Sequence, residues 1–179
     1  LSREIFILDG INPDTFPLEE EIATEGQMSG QLVLSGSLQE TGLVGGVVFS
    51  STRYGSNKVG LASIDFSAVD LFAPSVRMDF QLDADSLDIM GRSFDSLSVR
   101  MSYSDPRGEV DLFLMRSKDE NYQARIAFED AFPARLLNID ELSFNFPDER
   151  WNLGGPSRVF WDSDGLSFED FRLIRPGPD

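Results

Sequence analysis

Apolar and polar residues alternate along most of this chain, in runs that short polar turns separate. One run places Val110, Leu112 and Leu114 on the same side, and after a turn at 118–121 the run 122–128 repeats the pattern. Period-two alternation is typical of a β-strand with one dry face and one wet face. Because the pattern recurs so often, it predicts an all-β fold built as one long, curled antiparallel sheet.

The alternation is steady from residue 30 onwards and weak before it. We therefore divide the chain into an irregular N-terminal segment, 1–29, and a curled β-sheet segment, 30–179. The first segment is expected to hold a short strand at 4–8 and a helical turn at 18–22. About ten to twelve strands are expected in all, with one helical turn at 129–137 across the end of the sheet. No segment keeps a helical period, and no internal boundary divides the sheet into separate domains.

Apolar side chains at alternating positions are expected to line the dry side of the sheet. They are Leu32, Leu34, Val47, Phe49, Phe80, Leu82, Leu97, Val99, Met101, Val110, Leu112, Leu114, Tyr122, Ile126, Phe128, Leu142, Phe144, Phe146, Val159, Trp161 and Phe168. A closed β-sandwich core and an open apolar groove require the same pattern. The residues alone leave both arrangements open.

Composition removes several kinds of chemistry. The chain has no His and no Cys, which excludes the commonest general base, the commonest zinc ligand and thiol chemistry. Its formal net charge is −16, so it lacks the basic stripe that nucleic acids and anionic membrane surfaces require. The acidic residues fit the wet faces and edges of a long sheet, which they keep soluble.

Paired carboxylates are the remaining candidates for catalysis or metal binding. Asp83 and Asp85 share a strand face, as Asp162 and Asp164 would, so an acid-base enzyme is one hypothesis. The first pair also fits a solvated face, and 162–165 fits a hairpin turn. Calcium is not expected, since Leu173 stands where a calcium loop needs a Glu. The glycine-rich stretches lack the Lys of a phosphate loop. We expect no cofactor, no metal and no enzymatic activity.

Several phrases of the sequence resemble the AsmA-like superfamily, in particular the TamB C-terminal domain family. The resemblance covers roughly residues 26–175. The chain departs from many members of the family in its strong acidity and its irregular first segment. The phrases that carry it are Leu142–Phe146, Trp151–Leu153, Pro156, Val159–Trp161, Asp164–Leu173, Gly30–Leu38 and Leu43–Val47.

The resemblance implies a β-taco, a long sheet curled lengthwise around an apolar groove. It further implies that the parent protein is anchored in the inner membrane of a Gram-negative-type bacterium and spans the periplasm. Such a protein passes phospholipid acyl chains between the inner and outer membranes. A role in outer-membrane protein assembly, with an outer-membrane barrel protein as partner, is implied as well.

We expect this chain to be one segment of such a parent, since it starts at Leu1 without a leader. The alternative is a non-catalytic β-sandwich module for adhesion or carbohydrate binding, held by a closed core. An open apolar groove along the sheet would favour the first function, whereas closed packing with aromatic platforms on the surface would favour the second.

Overall fold

The structure, a computed structural model, describes residues 3–11, 24–37, 40–73, 75–131, 134–162 and 165–175. Side chains are not described at 3–11, 24, 130–131, 134–135, 161–162 and 165–166. The described strands are β1 Arg3–Ile11, β2 Thr24–Gly36, β3 Thr41–Tyr54, β4 Asn57–Val69, β5 Arg77–Ile89, β6 Arg92–Ser104, β7 Arg107–Ser117, β8 Glu120–Ala131, β9 Ala134–Phe146, β10 Glu149–Leu153, β11 Ser157–Asp162, β12 Gly165–Glu169 and β13 Leu173–Ile174.

All thirteen strands belong to one antiparallel sheet, and their order in the sheet follows the chain from β1 to β10. The sheet divides after β9, whose C-terminal half pairs with β10 and whose N-terminal half pairs with β11. β13 pairs with β10, and β12 pairs with β11. β1 does not pair with any of these last strands, so the described sheet stays open at both ends. The predicted all-β curled antiparallel sheet is confirmed.

The closed β-sandwich alternative is wrong, because every described strand lies in a single sheet. A sandwich buries its core between two sheets about 10 Å apart. Here the close contacts between described strands join hydrogen-bonded neighbours. Short two-residue turns at 55–56, 90–91 and 118–119 connect these neighbours and fix their register.

In the N-terminal segment, the short strand expected at 4–8 lies within β1 at 3–11. β1 pairs with residues 28–35 of β2, and both strands belong to the same sheet. The helical turn at 18–22 lies outside the described residues. The turn expected at 129–137 is wrong, since β8 continues to Ala131 and β9 begins at Ala134. Pairing between β8 and β9 overrode the weak local signal at this second turn.

A crease crosses the sheet at one level from β2 to β7. Regular pairing is interrupted at 26, 51, 60, 86, 95 and 116, which lie side by side on neighbouring strands. Ser51 and Ser86 have φ of 51° and 57°, in the left-handed region. On crossing the crease the alternation slips by one residue, so apolar side chains three apart share a face. Bulges of this kind bend strands and increase their twist.

The sheet bends toward its apolar side at the crease. Leu87 lies on the hairpin-end side of the crease and forms one buried cluster with Ala62 and Ala84, which lie on the other side of the crease. Val59 and Phe94, also beyond the crease, pack on the same cluster. The crease residues other than Gly26 are exposed. We call the three hairpin ends beyond the crease, 52–59, 87–94 and 117–120, the lip.

Glycine allows neighbouring strands to approach closely at the crease. A Cβ added to Gly60 would lie 2.9 Å from the Cβ of Ser86 and 3.2 Å from the carbonyl oxygen of Asp85. A Cβ added to Gly26 would lie 2.7 Å from the Cα of Thr52. Real side chains do not reach such distances without moving the partner backbone, so these two positions require glycine.

The crease therefore makes a prediction for Gly60→Ala. We expect this substitution to lower the free energy of unfolding by about 1–3 kcal/mol, the range for overpacking a tight contact. Gly42→Ala is the matched control, because its added Cβ would lie 3.4 Å or more from every neighbour. Urea denaturation of both variants measures the difference. Equal losses of stability would contradict the tight contact at the crease.

Candidate functional site

The register aligns apolar side chains into four cross-strand ladders on one face, which we call the apolar face. Nearest the crease the ladder reads Phe49, Ala62, Ala84, Leu97, Leu114, Tyr122, Phe144, Trp151. The second reads Val47, Ile64, Leu82, Val99, Leu112, Ala124, Leu142. The third reads Gly45, Phe66, Phe80, Met101, Val110, Ile126, Ile139. The fourth reads Leu43, Ala68, Met78, Tyr103, Gly108, Phe128, Leu137, Val159.

The register places the predicted groove residues on this same face. Most of them stand in the four ladders, Leu32 and Leu34 extend the ladders into β2, and Phe168 pairs with Val159. Phe146 continues β9 beyond the first ladder. The side chain of Trp161 lies outside the described residues. That these residues bind lipid stays a prediction.

Most side chains of the apolar face are half-buried. In the described residues, the fully buried apolar side chains are only Ala62, Ala68, Ala84, Leu87 and Val159. At the two ends of the sheet Leu34 and Phe168 are 37% and 56% exposed. Residues as large as Phe80 and Phe66 would be covered in a closed core. Lateral packing along the ladders, without an opposing layer, explains their intermediate exposure.

Two glycines of the face make room for aromatic rings that lie across them. A Cβ at Gly45 would stand 2.5 Å from the Cζ of Phe66, and one at Gly108 would stand 2.2 Å from the Cζ of Phe128. The ring of Phe128 also stacks on that of Tyr103, with centroids 6.0 Å apart and planes 9° apart. Rings laid over glycines keep the surface smooth and apolar where a side chain is missing.

The polar groups of the apolar face stand at its two margins. Tyr122, beside the lip, donates a short hydrogen bond to the carboxylate of Glu120. Tyr103, at the opposite margin, donates to Asp105 over 2.8 Å. The hydrogen bond with Tyr122 lowers the pKa of Glu120 and raises that of Tyr122. Both hydroxyls thus point to acidic residues at strand ends, and the rings contribute apolar surface.

The opposite side of the sheet, the polar face, carries a charged ladder that matches the register. Its members run across β4 to β9 in the order Asp65, Gln81, Arg100, Asp111, Arg125, Glu141. Arg125 contacts Asp111 at 2.8 Å and Glu141 at 3.9 Å, and Asp111 in particular raises the pKa of this guanidinium. A slip of one residue would move every charge to the apolar face, so this ladder disfavours wrong registers.

The candidate carboxylates do not form a catalytic or metal-binding group in the described residues. Asp83 lies on the polar face and accepts hydrogen bonds from Gln81 at 2.5 Å and Ser98 at 2.7 Å. These two hydrogen bonds lower the pKa of Asp83. No described cluster of three acidic residues could hold a metal ion. Asp164 of the second pair lies outside the described residues, whereas Asp162 and Gly165 pair across β11 and β12.

The depressions of the described surface are lined mainly by polar-face residues. One of them, of about 760 Å³, lies between the outer ends of β5 to β9 and includes Arg107, Glu109 and Glu129. Another, of about 440 Å³, mixes Phe66 and Phe80 with charged neighbours. Both are shallow and open to solvent. The apolar face of the described strands is broad and open.

Sequence reasoning missed part of the apolar face for two reasons. Ile64, Phe66 and Met78 follow the same alternation as the predicted groove residues, so the sequence pattern could have identified them. The same pattern could not identify Val59, Leu87 and Phe94, because the crease shifts the alternation by one residue. The sequence signal of this shift is a pair of apolar residues three positions apart with a small or polar residue between them. Val59 and Ala62, on either side of Gly60, are an example.

The hydrogen bonds of Asp83 predict a pH-dependent contribution to stability. Its pKa is lowered on folding, so the contribution is complete above the ordinary value of 3.8 and is lost as pH falls through the folded value. We expect Asp83→Asn to lower the free energy of unfolding at pH 7 by about 1 kcal/mol. The difference from wild type should shrink as the pH falls below 3.8.

Urea unfolding at neutral and acidic pH measures this difference. Asp85→Asn is the matched control, since Asp85 is exposed on the same face of the same strand. A loss of stability that is the same at both pH values would contradict the role of the Asp83 charge.

The described part of the chain contains no helix with the length and apolar character needed to cross a membrane.

Comparison with protein-family models, with curated proteins and with solved structures finds no match for this chain. The resemblance to the AsmA-like superfamily therefore rests on the sequence phrases given above, and function has to be argued from the two faces of the sheet.

Proposed function

We propose that this chain holds phospholipid acyl chains along its apolar face, as one segment of a protein that passes lipid between two membranes. One observation carries the proposal. The described sheet has a continuous apolar face, four ladders wide, with no second layer of described strands on it. Exposed apolar surface of this extent is a mark of a binding site in a folded protein.

The dimensions of the face suit an extended acyl chain. From β3 to β9 the ladders cross seven strands, and at about 4.8 Å between strands they extend about 29 Å. Four ladders of alternating residues span about 20 Å along the strands. One leaflet of a bilayer has a hydrocarbon depth of about 15 Å. A single acyl chain would fit with space to move along the sheet.

The energetics favour a continuous surface over a chain of separate sites. Each methylene group exposed to water costs about 0.8 kcal/mol, so an acyl chain that leaves a membrane needs apolar contact throughout. In the described ladders no charged side chain interrupts the apolar face, and the two tyrosine hydroxyls stand at its margins. An acyl chain could therefore slide from strand to strand without losing contact. No catalytic group is needed for such movement.

The bend at the crease also supports a lipid-holding function. It turns the lip over the apolar face and makes that face concave along a line perpendicular to the strands. A concave strip covers more of a rod-shaped ligand than a flat sheet does. A concave apolar strip supports the groove that the resemblance implies.

The wider setting of this function is proposed from the resemblance. The parent protein would be anchored in the inner membrane and would cross the periplasm to the outer membrane. A role in outer-membrane protein assembly, with a barrel protein as partner, belongs to the same proposal. An adhesion or carbohydrate-binding function fits the chain less well, because sugars need polar groups beside an aromatic platform. From β3 to β9, the polar groups of the described ladders are the two tyrosine hydroxyls at the margins.

Photo-crosslinking tests which face contacts lipid. A crosslinking amino acid at Leu112 or Phe144, on the apolar face, is expected to form adducts with phospholipid added to the purified chain. The neighbouring positions Asp111 and Asn145 point to the polar face and serve as controls. Adducts formed at the controls but not at Leu112 or Phe144 would contradict the proposal, because lipid would then contact the polar face.

Two adjacent valines provide a matched pair for binding. Val47 lies on the apolar face, whereas Val48 points to the polar face and is 42% exposed. We expect Val47→Glu to weaken the binding of a fluorescent fatty acid about tenfold or more, because the charge loses water when the acyl chain covers it. Val48→Glu should leave binding unchanged.

Circular dichroism of both variants checks that the sheet is intact. If Val47→Glu does not fold, Val99→Thr, a milder change in the same ladder, replaces it. Equal affinities for the fatty acid in the apolar-face variant and in Val48→Glu would contradict the proposed function.

A further inference from the structure

The charged residues at the two margins of the apolar face differ in their ion pairs. At the margin opposite the lip, Arg77 contacts Asp70 at 3.6 Å and Arg107 contacts Glu129 at 3.6 Å. These hairpin-end cations are thus neutralised within the protein. The lip carries five basic residues on three hairpin ends and their flanks, in a chain whose net charge is −16.

Three of the lip cations form no ion pair with any described carboxylate. They are Lys58, Arg92 and Lys118, one on each of three successive hairpin ends, and all three are exposed. The other two are neutralised, since Arg53 contacts Glu25 at 3.9 Å and Arg116 contacts Glu120 at 3.1 Å. Successive hairpins are two strands apart, so the unpaired cations recur about every 10 Å along the margin.

Carboxylates stand beside these cations without bridging them. Asp88 lies opposite Lys58 in the register and accepts a single hydrogen bond, 3.4 Å long, from Ser93. Asp119 follows Lys118 in its turn. Glu120 lies close enough to Arg92 to be influenced by its charge, but it is bound by Arg116 and Tyr122. The lip therefore presents cationic and anionic groups that both remain available to a ligand.

Apolar side chains connect this charged margin to the apolar face. Arg92 shares a face with Phe94 and Ile89, so its charge stands at the end of apolar surface. Tyr54, Ile89 and Met90 are 47%, 37% and 87% exposed on the lip. The amide of Met90 donates to the side chain of Asn57 at 2.9 Å, which ties the first two hairpin ends together. This sequence of apolar floor, aromatic edge and charged rim resembles a membrane interface.

We propose that the lip binds the headgroup of a zwitterionic phospholipid, with its phosphate on Arg92 or Lys118 and its ammonium group on the neighbouring carboxylates. This inference rests on the proposed function, because it presumes that the acyl chains lie on the apolar face. A headgroup with both charges matches the mixed lip. A purely anionic headgroup would meet the field of a chain with net charge −16.

The test compares two double variants that change the net charge equally. Arg92→Gln with Lys118→Gln removes lip cations, and Arg77→Gln with Arg107→Gln removes cations of the opposite margin. Binding is measured for three lipids with the same acyl chains, namely a phosphatidylethanolamine, a phosphatidylglycerol and an uncharged diacylglycerol. We expect wild type to prefer the phosphatidylethanolamine. The lip variant should lose roughly fivefold in affinity for it, or about 1 kcal/mol, with diacylglycerol unaffected.

The outcomes separate this inference from the proposed function. Failure of all three lipids to bind wild type would overturn the proposed function. Binding of all three with equal losses in both double variants would overturn only the headgroup site, and so would an equal loss of diacylglycerol binding in the lip variant. Glycerophosphoethanolamine, the headgroup without acyl chains, is the last probe. If it binds as tightly as the whole lipid, the lip is a site for a soluble phosphate compound instead.

Discussion

A sheet has two faces, and this sheet has only one layer of described strands, so its apolar face has no protein partner among them. That constraint governs the rest of the structure. In a sandwich the opposing sheet would bury residues such as Phe66 and Phe80, which here remain half-exposed. Something other than these strands must therefore cover the apolar face. A surface about 29 Å long with charges only at its margins matches acyl chains better than a sugar or a metal ion.

The polar face and the crease keep that surface continuous. The ladder from Asp65 to Glu141 penalises any slip of register, which would bring its charges onto the apolar side. The crease has a second role, since its glycines and left-handed serines let six neighbouring strands bend at one level. Because the strands bend toward Ala62 and Ala84 at the crease, they bury a small apolar cluster there without a second sheet.

Much of this arrangement could be predicted from the sequence, and the failures have physical causes. Strict alternation, as in Val110, Leu112 and Leu114, identified strands and their apolar sides because side chains on a pleated strand alternate. It missed Leu87 and Phe94, because a bulge moves the next apolar residue three positions along. The short strand expected at 4–8 lies within β1, whose full length at 3–11 depends on pairing with β2 rather than on local pattern. The lip cations attracted no attention either, since only the fold brings three hairpin ends to one margin.

The central claim is that the apolar face is open and that lipid occupies it. Native mass spectrometry of the chain, purified from cells without detergent, tests this most directly. The account predicts a monomer that carries additional masses of phospholipids or fatty acids, which are released at higher collision energy. A lipid-free dimer would contradict it, because a second copy would then cover the face that we assign to acyl chains.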